Sequence, residues 1–201
     1  MKLDPFYLIV DSAEWVERLV PLGVKLVQLR MKNQNIETIR HHTKRAKNIC
    51  NQFGAQFILN DYWTIAIEEQ CDFIHLGQED LKKIDLIAIR RNGIKLGLST
   101  HDEHELNNSL PFFPEYIALG PVYSTILKKM KWAPQGLEKI QQWKKKIGTL
   151  PLVGIGGLTP KRAIDVLKAG ANSAAVVTDI VFHEKPEERV QQWMKATEQW
   201  R

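Results

Sequence analysis

At 201 residues the chain has the length of one domain with a sizeable apolar core, and 44% hydrophobic with 25% charged residues excludes a disordered or low-complexity polymer. The formal charge of +5 is scattered, with its densest cluster at Lys144, Lys145 and Lys146 in a solvated helical segment, which argues against nucleic acid as a partner and leaves a diffuse positive field suited to small phosphorylated substrates. Cys50 and Cys71 lack C-x-x-C spacing, and neither a signal-type segment nor a membrane-length apolar run is present, so a reducing, cytoplasmic setting without disulfide, zinc site or membrane partner is expected.

Short apolar runs alternate with stretches of helical period along the whole chain. The first run, Phe6–Val10, precedes a segment in which Trp15, Leu19 and Leu22 share one face. Residues 26–30 form the second, followed by an amphipathic stretch over 36–53 that Gly54 ends as a C-terminal cap. Residues 56–59 are the third strand, a helix over 63–69 leads to the fourth at Phe73–Leu76, and Gly93 stops the next helix before a fifth at 95–98. Asp102 is placed to cap a short helix that leads to the sixth strand, Tyr116–Leu119. A polar loop over 124–135 precedes a helix at 137–146 and a seventh strand at 151–154; Pro160 and Gly170 then bracket a helix in the usual order. An eighth strand over 173–177 and a helix over 186–200 close the pattern. Eight nearly continuous apolar strands alternating with helices predict an α/β protein with an all-parallel sheet covered on both faces, as a single (β/α)8 TIM barrel over residues 1–201. An open doubly wound sheet is the rival, because periodicity does not reveal strand order.

In such a barrel chemistry sits at the carboxyl ends of the strands. Arg30 and Lys32 end the second run, Asn60 and Asp61 the third, Gln78 to Asp80 follow the fourth, and Ser99 to His101 the fifth; Lys128 lies beyond the sixth, Gly156 and Gly157 beyond the seventh, and Thr178 beyond the eighth. Arg30, Lys32 and Lys128 are suited to a polyphosphate, although each alone also reads as a surface cation. Asp61 and Asp80 suit one magnesium-like dication, or else serve as caps and turn residues; a glycosidase carboxylate pair fits poorly beside so many cations. Gly156 and Gly157 with Thr178 occupy the barrel's frequent phosphate place, while a bare Gly-Gly also marks an ordinary turn. His75 reads as a hydrogen-bonded core residue and His101 as a loop anchor, neither being assigned acid–base work. Trp63 and Trp132 lie near enough to the loops to flank a ring, and the other tryptophans read as packing residues.

Several segments resemble the thiamine phosphate synthase family over residues 7–180. Gln28-Leu29-Arg30-Met31-Lys32 is similar to its QLR-x-K motif, and Asn60-Asp61-Tyr62-Trp63 and His75-Leu76-Gly77-Gln78-Glu79-Asp80 to its ND and HLGQED segments. Gly97 to His101, Gly120 to Tyr123, Ala133 to Gly136 and Ile155 to Gly157 fall in the matching order. The resemblance implies a (β/α)8 fold and a transferase that joins hydroxymethylpyrimidine diphosphate to hydroxyethylthiazole phosphate, by loss of pyrophosphate and then attack of the thiazole nitrogen. It implies that Gln28, Arg30, Lys32, Asn60 and Lys128 bind the diphosphate, that Asp61 and Asp80 hold one Mg2+, and that Ser99 meets the pyrimidine. Thr125 would meet the thiazole phosphate, with backbone groups of Gly157, Val177 and Thr178 receiving its phosphate.

The chain departs from the family pattern in two places. Thr125-Ile126-Leu127-Lys128 stands where T-x-T-K is common, so an apolar side chain replaces a hydroxyl, and Asn172 stands where an acidic residue is usual, at a position expected to be structural. Two other readings stay open: a TenI-like thiazole isomerase, against which Pro121 in place of a histidine argues, and a non-catalytic thiazole phosphate-binding relative, for which Leu127 would be the sign. Whether copies assemble into a homo-oligomer is not encoded legibly.

Overall fold

The computed structural model describes residues 2–125 and 132–201. Its strands are β1 (Phe6–Val10), β2 (Leu26–Leu29), β3 (Gln56–Asn60), β4 (Phe73–Leu76), β5 (Lys95–Thr100), β6 (Tyr116–Leu119), β7 (Leu152–Ile155) and β8 (Ser173–Val176). All pair in parallel, in chain order, and close as a barrel because β1 pairs with β8, with Phe6 opposite Ala174, as well as with β2, where Leu8 faces Val27. That closing pair excludes the open doubly wound sheet. No helix among the described residues is long and apolar enough to cross a membrane.

Strand alternation divides the apolar residues into two shells. Leu8, Val27, Leu59, Ile74, Leu98, Ile117 and Leu119 point outward into one buried cluster. Tyr7, Ile9, Leu26, Ile58, Phe73, Tyr116, Ala118, Val153 and Ala175 form a second cluster inside the barrel. The outer cluster is completed by helices α1 (Ala13–Leu19), α2 (Ile36–Gln52), α3 (Trp63–Glu68), α4 (Leu86–Arg91), α5 (Glu103–Ser109), α6 (Gly136–Ile147), α7 (Pro160–Lys168), α8 (Thr178–Val181) and α9 (Pro186–Thr197). On α2 the residues Ile39, Thr43, Ala46 and Cys50 are buried, the spacing of one helical face. Helix α9 returns to the first strand, where Trp193 stacks on Phe6 with ring centres 5.4 Å apart.

Caps were readable. Asp102 accepts from Glu105 N–H at α5, and Thr159 accepts from Arg162 N–H at α7 ahead of Pro160; such caps contribute about 1 kcal/mol each. Asn172 is structural: its Oδ1 accepts from Leu152 N–H and from Lys144 Nζ, each at 3.0 Å, tying the entries of β7 and β8 together. An acidic residue would serve the same two donors, which explains the exchange. Lys144 is therefore a tether, not a purely solvated cation.

Several boundaries differ from expectation. The second strand stops at Leu29, releasing Arg30 into the loop, and the fifth continues to Thr100, holding Ser99 within the barrel wall. The seventh begins at Leu152 and runs to Ile155, and the eighth stops at Val176. Ser99 and Thr100 are polar, which conceals the extension of the fifth strand. The four-residue helix α8 is too short to leave a period in the sequence.

Candidate active site

The carboxyl ends of the strands surround a cavity of about 460 Å³, a size suited to a small ligand. Gln28, Arg30, Lys32, Asn60, Asp61, Asp80, Ser99, Thr125, Gly157, Val177 and Thr178 all line it. Lys128 and Leu127 lie outside the described residues. Within the cavity the side chains are layered. Arg30 and Lys32 stand on the rim after β2, whereas Gln28 is 2% exposed and lies one inward-facing step lower, donating from Nε2 to Tyr7 Oη at 2.7 Å.

The two carboxylates meet. Asp61 follows β3 with φ of 66°, a left-handed conformation uncommon for a residue with a side chain, and costly strain of this kind gathers at functional sites. It does not cap α3, whose N-cap is Tyr62 without a side-chain bond. Its carboxylate instead pairs with Lys32 Nζ and lies within hydrogen-bonding reach of Asp80. Burial, and then the Asp61 charge beside it, push the Asp80 carboxyl above its ordinary value. Two crowded carboxylates facing a cavity are a donor set that a hard oxygen-seeking dication fits, since its charge would relieve their repulsion.

Neighbouring groups suit anionic oxygens. Asn60 is 4% exposed, and its Nδ2 has no hydrogen-bond partner among the described residues. A buried donor left unmade costs about 1–3 kcal/mol, which an incoming phosphate oxygen would recover. Across the cavity Gly157 adopts φ of 63°, and a Cβ there would lie 2.2 Å from the Ser124 carbonyl oxygen. Glycine thus lets the turn after β7 press against the loop after β6, bringing its backbone to the cavity edge beside Val177 and Thr178, where α8 begins. First-turn N–H groups of a helix have no intrahelical acceptor, and they favour anions.

The loops after β5 and β6 are fastened to one another. Trp132 stacks on His101 with ring centres 4.1 Å apart, and His101 Nδ1 lies 2.7 Å from Glu105 Oε2. His101 is thus the loop anchor expected of it. Trp132 lines the cavity; Trp63 packs against the outer core and does not.

On the cavity floor His75 is hydrogen-bonded and Ser99 lines the site, as the sequence suggests, but the two tyrosines beneath them were passed over. Tyr7 Oη and Tyr116 Oη are 2.9 Å apart, Tyr116 Oη is 2.7 Å from His75 Nδ1, and His75 Nε2 is 2.7 Å from Ser99 Oγ. Burial holds the His75 imidazole down to about 4, so it is neutral at pH 7, and burial raises both tyrosines above their ordinary values. The signal was present: Tyr7, Gln28, Asn60, His75 and Ser99 all occupy inward positions of a period-2 pattern. An inward tyrosine taken singly, however, is patterned like any core aromatic.

A closed (β/α)8 barrel that gathers cations, paired carboxylates and a glycine turn over its strand ends defines the class: a barrel enzyme for phosphorylated substrates. Residues 6–180 match the family model described as thiamine monophosphate synthase. The thiamine-phosphate synthase of Rhizobium etli is 61% identical over 201 residues, covering 100% of this chain and 98% of the relative. That of Citrobacter koseri is 42% identical over 193 residues, 96% of this chain and 88% of the relative. The chain belongs to the thiamine monophosphate synthase family. A thiamine phosphate pyrophosphorylase structure from Pyrococcus furiosus shares the fold, with a TM-score of 0.86 and 22% identity over 98% of this chain and 96% of its own.

Proposed function

We propose that this chain joins hydroxymethylpyrimidine diphosphate to hydroxyethylthiazole phosphate, giving thiamine phosphate and pyrophosphate. The observation that carries this reading is the convergence of Arg30, Lys32, Asn60, Asp61 and Asp80 on one cavity whose far side is the Gly157 turn and the start of α8. Two anionic ends of a substrate pair would then have separate places. Arg30, Lys32 and the Asn60 Nδ2 donor would hold the diphosphate, with Lys128 and Gln28, whose Nε2 also donates to Tyr7 Oη, added by family resemblance. Thr125 and the backbone of Gly157, Val177 and Thr178 would hold the thiazole phosphate.

The carbon–oxygen bond between the pyrimidine methylene and the diphosphate breaks with its electron pair on oxygen, leaving a cation that the electron-rich aminopyrimidine stabilises. The thiazole nitrogen lone pair then forms the new carbon–nitrogen bond. Arg30, Lys32 and Asn60 stabilise charge where it accumulates on the departing oxygens, and the anchored thiazole phosphate holds the nucleophile beside the cation as it forms. Asp61 and Asp80 would hold Mg2+, which adds positive charge to the leaving diphosphate. No protein nucleophile is needed. The buried, free Cys50 and Cys71 suit a reducing compartment, and we place the reaction in the cytoplasm. Purified protein given both substrates and Mg2+ is expected to release thiamine phosphate and pyrophosphate in equal amounts; a folded preparation that binds both substrates and forms no product overturns the reading.

A further inference from the structure

The proposed chemistry leaves unexplained the polar chain that crosses the barrel under Ser99. Its order follows from counting protons, beginning at the amide. Gln28 Nε2 can only donate, so the Tyr7 hydroxyl accepts from it at 2.7 Å and turns its own proton to Tyr116 Oη, 2.9 Å away. Tyr116 has then accepted and must donate onward, to His75 Nδ1 at 2.7 Å. The imidazole proton is left on Nε2, where it meets Ser99 Oγ at 2.7 Å. Ser99 accepts there, and its own proton is left for the cavity that it lines.

We propose that Gln28, Tyr7, Tyr116 and His75 form a one-way hydrogen-bond relay that fixes the Ser99 hydroxyl as a donor into the cavity, making them positioning residues for the substrate. The reverse order would require an acceptor in place of the Gln28 nitrogen, and without one Tyr7 would bury an unmade hydroxyl bond. The sequence builds this path through an omission. Gly97 lies between His75 and Tyr116 in the strand register, and a Cβ on it would fall 2.2 Å from Tyr116 Cζ. With no side chain at 97, the Tyr116 ring lies across that strand and stacks on the His75 ring at 5.6 Å and 16°. The order of protons stands on the protein alone. The identity of the acceptor rests on the proposed function: a ring nitrogen of the pyrimidine, so that a ring presenting C–H at that point is discriminated against.

Long-range proton–nitrogen correlation of histidine-labelled, substrate-free protein at pH 7 tests the order directly. His75 is expected to carry its proton on Nε2 with a bare Nδ1; the opposite tautomer, or an averaged pattern, overturns the relay. The kinetic arm is a cycle of Tyr116→Phe with Ser99→Ala. Tyr116→Phe is expected to lower kcat/KM about tenfold alone and less than about twofold once Ser99 is alanine, because both act through one hydroxyl. Equal losses in the two backgrounds overturn it. Should the unaltered protein form no thiamine phosphate, the functional reading fails while the tautomer still decides the relay.

Discussion

The lower and upper halves of the barrel interior are made by the same strands and have opposite characters. Along β4 the inward residue changes from Phe73 to His75, along β3 from Ile58 to Asn60, and along β2 from Leu26 to Gln28, with charged Arg30 just beyond the strand. One pleat of the strand therefore separates an apolar plug from hydrogen-bonding groups, and a further pleat reaches charge. The lesson is that stability and chemistry are stacked along β2, β3 and β4, so changes two residues apart on those strands should fail in different ways.

The largest effect is expected low in the barrel. Phe73→Ala removes a fully buried ring and should cost about 3–5 kcal/mol of stability, read as a lowered denaturant midpoint. Acidification tests the layer above. Because folding holds the His75 proton affinity at about 4 against 6.5 for the free side chain, the unfolded chain binds more protons between those values. Stability should thus be full above pH 6.5 and decline by on the order of 3 kcal/mol as pH falls to about 4, and His75→Asn should flatten that slope in urea titrations across the range.

At the rim the expected losses fall on catalysis. Asp61→Asn should reduce kcat/KM about a hundredfold, equivalent to about 2.7 kcal/mol, with Mg2+ required at higher concentration and the melting temperature little changed. Asn60→Leu should sharpen the contrast most finely. It removes a buried donor that lacks a partner among the described residues, so the free protein should keep its stability while diphosphate affinity, measured by calorimetry, weakens by about 1.5–3 kcal/mol. If Asn60→Leu instead unfolds the protein, the layered division between structure and chemistry is wrong at that position.

This layering explains what could be read beforehand. The outward residues and their helices announce themselves by period, by the Asp102 cap and by Pro160 and Gly170 around α7, and β1, β4 and β6 fall where their apolar runs lie. Rim residues were legible because charges such as Arg30 and Asp61 stand out after an apolar run. The tyrosines that link the middle layer were not. Whether Tyr116 faces the core or a site depends on which neighbours it reaches across the sheet, and its partners Tyr7 and His75 are separated from it by 109 and 41 positions. Helix α8, four residues long, was hidden for the opposite reason, since it is too local to leave a pattern.

Position 97 makes one consequence concrete. Adding a single methyl group there would displace an aromatic ring rooted in the next strand, and the disturbance would surface two places further along β5, at the Ser99 hydroxyl, by way of Tyr116 on β6 and His75 on β4. A survey of tolerated substitutions would therefore mark residue 97 as functionally sensitive even though it carries no chemical group at all.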